Sequence, residues 1–253
     1  MRLSDALGLG DRELVSFVGA GGKKTAMHRL ATEGTERGYD VGYTTTTKMP
    51  PPDLPLTVAN VEALPSKLTE TEPPVAFARD WVPDPERVAR KVRGFDPEPL
   101  ASIFDRGIFD WLLVKADGAR TREFKAPGSG EPVVPDATTR VVPVASVLAV
   151  GEPLSDAVVH RPERVAAITG LSVGDAITPE AIGTVLASPR GGLKRVPDGA
   201  DVTPVVNKAD TPVRQETARR ILEHALESTT RFARGFVTSF ERDVCLAVES
   251  DAP

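Results

Sequence analysis

A glycine-rich turn between an apolar strand and a helix constrains the fold of this chain more than any other feature. Residues 13–18 (ELVSFV) are typical of a buried strand, and residues 23–37 carry apolar side chains at helical spacing. A second apolar strand follows at 41–46. Because a strand, a turn, a helix and a strand follow one another within about 35 residues, we predict the start of a parallel βαβ unit.

Short apolar runs alternate with helical patterns along the rest of the chain. The runs at 110–116, 139–144 and 202–206 predict strands, and the patterns at 163–169, 179–187 and 213–226 predict helices. This alternation predicts a three-layer α/β fold with a mostly parallel sheet flanked by helices. The last two runs, 232–238 and 243–248, fit either strands that close the sheet or a terminal helix.

The length of 253 residues is enough for one or two domains. Proline is absent before residue 50 and crowded just after it. We therefore predict a single α/β domain over residues 1–253, with a Pro-rich irregular stretch at about 49–99.

Composition excludes several classes of function. With 31 basic and 36 acidic residues the formal net charge is −5, so we expect no binding to nucleic acid. The single cysteine, Cys245, and three dispersed histidines form neither a disulfide nor a zinc cluster, which favours a reducing cytoplasm. No targeting segment and no membrane-spanning run is visible, so we predict a cytoplasmic protein without a membrane partner.

The glycine turn has the composition of a phosphate-binding loop, in which backbone N–H groups and a helix N-terminus face phosphate and a lysine reaches its oxygens. The spacing G-x-x-x-x-G-K-[ST] is not met, because the loop is about two residues short. A dinucleotide-binding G-x-G-x-x-G turn and a plain βα corner are the alternatives. The candidate nucleotide-binding residues here are Gly19, Gly21, Gly22, Lys23, Lys24 and Thr25.

Polar residues follow two more predicted strands at the same sheet edge. Thr45 and Thr46 end the strand at 41–46, where their hydroxyls could bind phosphate or metal, although threonine also simply suits a strand. Asp117 follows the strand at 110–116, where a carboxylate can orient Mg²⁺ through water or begin a tight turn. We assign Lys23 and Asp117 as candidate catalytic residues, and Thr25 and Asp117 as candidate Mg²⁺ ligands.

The run Asn207-Lys208-Ala209-Asp210 follows the strand at 202–206. An Asp carboxylate can accept both N1–H and N2–H of guanine, an Asn amide can contact the purine edge, and a Lys stem can lie over the base. Asn207, Lys208 and Asp210 are therefore candidate guanine-binding residues. The alternative is that Asp210 only caps the helix that begins near Pro212.

A Pro- and Gly-containing segment at 120–135 predicts a loop over the same edge. Arg120, Arg122 and Lys125 in this loop can bind anions, and His160 and Arg161 open a predicted helix nearby. We assign Arg120, Lys125, His160 and Arg161 as a candidate substrate pocket. Solvated surface charge is the alternative.

In combination these motifs resemble one family. The segments FVGAGGKKT, YTTTTKM, LLVKADGAR, FKAPGSGEPVVP, VHRPERVAAITG and VVNKAD stand in the order seen in the YqeC family, over about residues 14–210. The resemblance implies a P-loop-like fold that binds a nucleotide, and the candidate guanine-binding residues favour GTP as that nucleotide. It also implies a role in maturing a selenium-dependent molybdenum hydroxylase or its cofactor, as an accessory protein of that enzyme.

Two residues depart from the family pattern. Lys24 replaces a threonine that would bind Mg²⁺, and Lys115 replaces a glutamate two residues before Asp117. Both changes weaken the expectation of magnesium-dependent hydrolysis, so GTPase activity stays open. The alternative function is a non-hydrolysing carrier for a nucleotide-linked molybdopterin or for the hydroxylase itself.

Overall fold

The computed structural model describes residues 1–68, 70–84 and 90–249. The described helices are α1 (Leu3–Leu7), α2 (Lys23–Glu36), α3 (Leu64–Leu68), α4 (Pro97–Asp105), α5 (Pro162–Thr169), α6 (Pro179–Ala187) and α7 (Pro212–Glu227), with a 3₁₀ turn at Val147–Ala149. The first strands are β1 (Glu13–Gly19), β2 (Val41–Thr45), β3 (Lys48–Met49), β4 (Leu56–Val58), β5 (Val75–Ala78), β6 (Asp80–Val82), β7 (Lys91–Arg93) and β8 (Trp111–Lys115). The remaining strands are β9 (Phe124–Lys125), β10 (Arg140–Ser146), β11 (Val159–His160), β12 (Asp201–Val202), β13 (Val205–Asn207), β14 (Arg234–Ser239) and β15 (Val244–Glu249).

The main sheet runs in the order β15-β14-β13-β10-β1-β8-β2-β5-β4, with β12 beside β10. Its pairings are parallel except for β14 with β15. This confirms the predicted α/β class with a mostly parallel sheet. The strands β3, β7 and β6 form a separate antiparallel sheet, and β9 pairs with β11.

Helices cover both faces of the main sheet, because successive side chains of each strand point to opposite faces. On one face, Phe17 and Leu113 pack with Met27 of α2 and Leu3 of α1. On the other face, α4 packs beside Leu112, and α6 and α7 form an apolar cluster with β10 and its neighbours. The central strands are therefore buried on both sides, which explains their continuous apolar runs. No helix in the described ranges has the length and apolarity needed to cross a membrane.

Three regions differ in detail from the sequence predictions. The strand predicted at 202–206 is divided into β12 and β13 at Pro204, which has no N–H to give to a ladder. The two terminal runs form strands, and β15 is antiparallel to β14. The Pro-rich stretch at 49–99 contains short elements, two of which, β4 and β5, extend the main sheet.

The order of the strands creates a crevice at the carboxyl end of β1. From β1 the chain crosses through α2 to β2 on one side, whereas from β8 it passes to β10 on the other side. Ligands of open α/β sheets bind where the connections diverge in this way.

Candidate functional site

A cavity of about 440 Å³ opens at this carboxyl edge. It is lined by the glycine turn, by the segment after β8, by Lys208 after β13 and by residues of β3 and β7. Eight of the described lining residues are Lys or Arg, and Glu123 is the only acid among them. A wall of this composition attracts a polyanion.

The glycine turn has a backbone that only glycine adopts without strain. Gly19, Gly21 and Gly22 have φ of +89°, +76° and +143°. A Cβ on Gly19 would lie 2.2 Å from the carbonyl oxygen of Val144, and one on Gly22 would lie 2.2 Å from Nδ2 of Asn207. The turn therefore packs directly against β10 and the residues that end β13.

The backbone N–H groups of this turn are available to a ligand. Ala20 donates to the carbonyl of Val144 at 2.8 Å, but the N–H groups of Gly21, Gly22, Lys23 and Thr25 donate to no acceptor within the described residues. They include the first N–H groups of α2, whose first turn contains no acidic residue. Free donors and the positive end of a helix dipole together form an anion-binding arrangement.

Lys23 and Asp117 are brought together beneath the turn. Nζ of Lys23 lies 2.7 Å from Oδ1 of Asp117, and Nζ of Lys125 lies 3.0 Å from Oδ2. Gly19 donates its N–H to Oδ2 at 3.0 Å, while Oδ1 has no other partner among the described residues. Lys23 also donates to the carbonyl of Gly19. All three charged side chains are buried.

The charged groups in this cluster shift one another's pKa values. Burial lowers the pKa of Lys23, partly offset by Asp117. Burial alone would raise the pKa of Asp117, but the two lysines together hold it below its ordinary value. Asp117 is therefore ionised at neutral pH, as a charge shared by two ammonium groups.

The donor set does not fit a Mg²⁺ ion held by protein carboxylates. Each nearby carboxylate forms ion pairs with cationic side chains. Asp117 pairs with two lysines and Glu123 pairs with Lys208. Glu131 pairs with Lys125 and Arg161. In the described residues no group of three or more acidic, His or Cys side chains could hold a metal. Thr25 is exposed on α2. Two ammonium groups in contact with Asp117 would repel a divalent cation.

The hydroxyls of the two predicted threonines donate hydrogen bonds to backbone carbonyls. Thr45 donates its hydroxyl to the carbonyl of Lys115, and Thr46 donates to that of Val133, both at 2.7 Å. Neither residue lines the cavity. Thr47 accepts a hydrogen bond from Nζ of Lys115 at 2.8 Å.

The run 207–210, which begins with the last residue of β13, is held against the turn. Asn207 donates through Nδ2 to the carbonyl of Gly21 at 3.2 Å and accepts from Thr238 at 3.1 Å. Lys208 bonds both carboxylate oxygens of Glu123 at 2.7 Å and reaches the cavity wall. Thus Asn207 connects β13 to the phosphate-loop candidate.

Asp210 does not cap α7. The N-cap is Thr211, whose hydroxyl accepts from the N–H of Arg214 at 3.3 Å. Asp210 instead accepts from Ser239 at 2.6 Å through Oδ1 and pairs with Arg214 at 3.3 Å through Oδ2. Its carboxylate still has acceptor capacity, because an ionised carboxylate has about four lone-pair sites.

The four predicted substrate residues are divided between two places. Arg120 lines the large cavity. Lys125 and Arg161 instead converge on Glu131 at 2.9 and 2.7 Å, beside the Asp117 cluster. His160 lies next to them, where burial and then the charge of Arg161 lower its pKa to about 4, so its ring is neutral at pH 7.

Several lining residues were not assigned to the site from the sequence: Lys48, Lys91, Lys115 and Glu123. Lys115 is buried and donates to Thr47 and to the carbonyl of Lys48, and burial followed by the charge of Lys23 lowers its pKa to about 7. Its position at the end of a predicted buried strand is a sequence signal that could have placed Lys115 at the site. Lys91 comes from the Pro-rich stretch, where no motif marks it.

Fold and site together define an α/β protein with a mostly parallel sheet and a cationic, glycine-lined cavity at the carboxyl edge of that sheet. The model of the family described as YqeC protein matches residues 15–163. The chain is 31% identical over 188 residues to "Uncharacterized protein YqeC" of Escherichia coli (strain K12), which covers 74% of this chain and 72% of that protein. The chain belongs to the YqeC family.

Proposed function

We propose that this protein is a P-loop-like nucleotide-binding protein that binds GTP and assists the maturation of a selenium-dependent molybdenum hydroxylase or its cofactor in the cytoplasm. The cavity supports the nucleotide part, because free N–H donors of the glycine turn and the cationic side chains of Lys23, Arg122 and Lys208 line the same space. The hydroxylase part rests on the family resemblance of the motifs.

The nucleotide would lie across the strand ends. Its phosphates would occupy the turn after β1, and its base would extend past β10 toward the residues after β13. Neighbouring strands are about 4.8 Å apart, so this direction offers roughly 10 Å between phosphate and base sites. The stem of Lys208 would flank the base, and Asp210 would accept the paired guanine donors.

Lys23 would exchange partners when phosphate binds. Its ammonium group now contacts Asp117 and the carbonyl of Gly19. A phosphate at the turn would compete for this ammonium, while Lys125 would keep Asp117 from being left as an unpaired buried charge.

A second candidate function, the non-hydrolysing carrier, is favoured by the same ion pairs. Asp117, Glu123 and Glu131 each contact at least one cation. A carboxylate held in this way is a weak base for activating water. Steady release of phosphate from GTP over many turnovers, abolished in Lys23→Met, would exclude the carrier function.

Calorimetric titration of GTP, GDP and ATP into the full chain tests nucleotide binding. Arg122→Ala removes a lining cation that forms no ion pair among the described residues, and we expect about a tenfold loss of GTP affinity. Arg106→Ala, at the exposed end of α4, is the matched control and should bind as the wild type does. Absence of nucleotide binding by the wild type would refute the proposal.

Base recognition is tested by Asp210→Asn. An amide in place of the carboxylate mismatches both guanine donors, so GTP affinity should fall by about 1–3 kcal/mol while xanthosine triphosphate becomes the better ligand. Titration of both nucleotides into both proteins measures the reversal. An unchanged GTP preference would remove Asp210 from the base site.

A further inference from the structure

The cavity continues past the glycine turn on the side away from Lys208. Three lysines line this part, Lys48 of β3, Lys91 of β7 and Lys115 of β8, and we name it the lysine end. The proposed position of the nucleotide leaves this end of the cavity without a ligand.

The sheet order separates the lysine end from the base site. The strands run β13-β10-β1-β8-β2, so Lys208 and Lys115 lie on opposite sides of β1. Lys115 pairs in register with Phe17, two residues before Gly19 at the end of β1. At about 4.8 Å per strand, three strand spacings place the two lysines roughly 14 Å apart across the edge. A ligand with its base beside Lys208 and its phosphates at the turn therefore leaves the lysine end open.

Among the described lining residues the lysine end has three lysines and no acid, and burial lowers the pKa of Lys115 to about 7, so that lysine is partly protonated at neutral pH. Lys115 is 7% exposed, and no carboxylate among the described residues lies within ion-pair distance of it. Its hydrogen bonds go to the hydroxyl of Thr47 and the carbonyl of Lys48 at 2.8 and 3.3 Å, which leaves one of three ammonium donors. Lys48 likewise forms no ion pair in the described ranges, and Lys91 pairs with Asp84 at 2.8 Å.

Burying an ammonium group without a counter-ion is costly, and an anion in the cavity would offset the cost. Three lysines give point charges without the planar fork of arginine, which suits a compact tetrahedral anion. We propose that the lysine end is a second anion-binding subsite, which holds a small oxyanion of phosphate size beside the nucleotide. This subsite goes beyond the proposed function, because it gives the protein a second, separate ligand.

Inorganic phosphate titrated by calorimetry into the full chain saturated with GDP tests the subsite. Lys48→Ala and Lys115→Met should each raise the dissociation constant for phosphate at least tenfold, with GDP affinity unchanged within about twofold. Lys67→Ala, at an exposed lysine of α3 outside the cavity, is the control and should leave both constants unchanged. Lys91 is left intact, because its loss would leave the buried Asp84 without this ion pair. Circular dichroism confirms that each variant is folded.

Two results would overturn the subsite. One is that phosphate does not bind the GDP complex, or binds it with the same dissociation constant in the wild type and in both lysine variants. The other is loss of GTP affinity in these variants with no effect on phosphate, since the lysines would then hold the terminal phosphate of the nucleotide. If the chain binds no GDP, the proposed function fails, and phosphate titrated into the free protein still tests the subsite. In that case, phosphate binding that is weakened by Lys48→Ala but not by Lys208→Ala would support the subsite.

Discussion

Gly22 lies where the glycine turn meets Asn207, the last residue of β13. Its φ is +143°, and an added Cβ would lie 2.2 Å from Nδ2 of Asn207. Gly22→Ala should therefore lower the free energy of unfolding by about 1–3 kcal/mol, through backbone strain and displacement of the Asn207 amide. Urea denaturation at neutral pH measures the change.

Gly130→Ala is the matched control for this substitution. Gly130 has nothing within 4 Å of an added Cβ, and its φ is not positive. We expect this variant to be as stable as the wild type within about 0.5 kcal/mol. Equal stability of the two alanine variants would contradict the close packing of the turn.

Glu131 makes the stability of the loop region sensitive to acid. Burial opposes its ionisation, but hydrogen bonds and charge from Arg161 and Lys125 lower its pKa to about 2. A lowered carboxyl pKa gives stability that is complete above the ordinary value of 4.5 and is lost as pH falls toward 2. Glu131→Gln should therefore be about 1–3 kcal/mol less stable than the wild type at pH 7, and this deficit should shrink at pH 3.5.

Urea denaturation at both pH values measures the deficit of Glu131→Gln. Glu62→Gln, an exposed glutamate without an ion pair in the described ranges, provides the comparison and should show no pH-dependent deficit. A Glu131→Gln deficit that stays constant between pH 7 and 3.5 would show that its ion pairs do not stabilise the fold.

At the scale of elements, the residue that caps α7 decides whether Asp210 is a helix cap or is free for another role. Thr211 accepts the Arg214 N–H and Asp210 is engaged elsewhere. Thr211→Ala should cost about 1 kcal/mol of stability, as loss of an N-cap does. Thermal unfolding compares it with Thr217→Ala in the same helix, where a half-buried threonine bonds only the carbonyl of Val213 and its loss should have a smaller effect. If Thr217→Ala costs as much, the cap is not at Thr211.

The first βαβ unit could be predicted closely because its signals are local. The apolar run, the glycines and the helical spacing all lie within the segment that they specify, and β1, α2 and β2 begin at the predicted residues. The pairing of β14 with β15 could not be predicted, because apolar runs of that length also fit a helix. Lys91 could not be assigned to the site either, since its position depends on a separate sheet that pairs distant segments.

At the scale of the whole molecule, net charge and local charge have opposite signs. The chain has a formal net charge of −5, whereas the cavity is lined by eight basic residues and one acid among those described. Charges within about a Debye length, roughly 10 Å at 0.1 M salt, dominate what a bound anion experiences. The cavity, rather than the overall charge, should therefore determine how salt affects an anionic ligand.

The affinity for GTP should accordingly fall as salt rises from 0.05 to 0.5 M NaCl, because screening weakens attraction to the lining cations. If the net charge dominated, screening would instead relieve repulsion and raise the affinity. Calorimetric dissociation constants across this range give the sign directly. Arg122→Ala should show a shallower dependence because one attractive charge is gone, whereas Arg106→Ala should retain the slope of the wild type. An affinity that rises with salt would mean that the ligand binds away from the cationic wall.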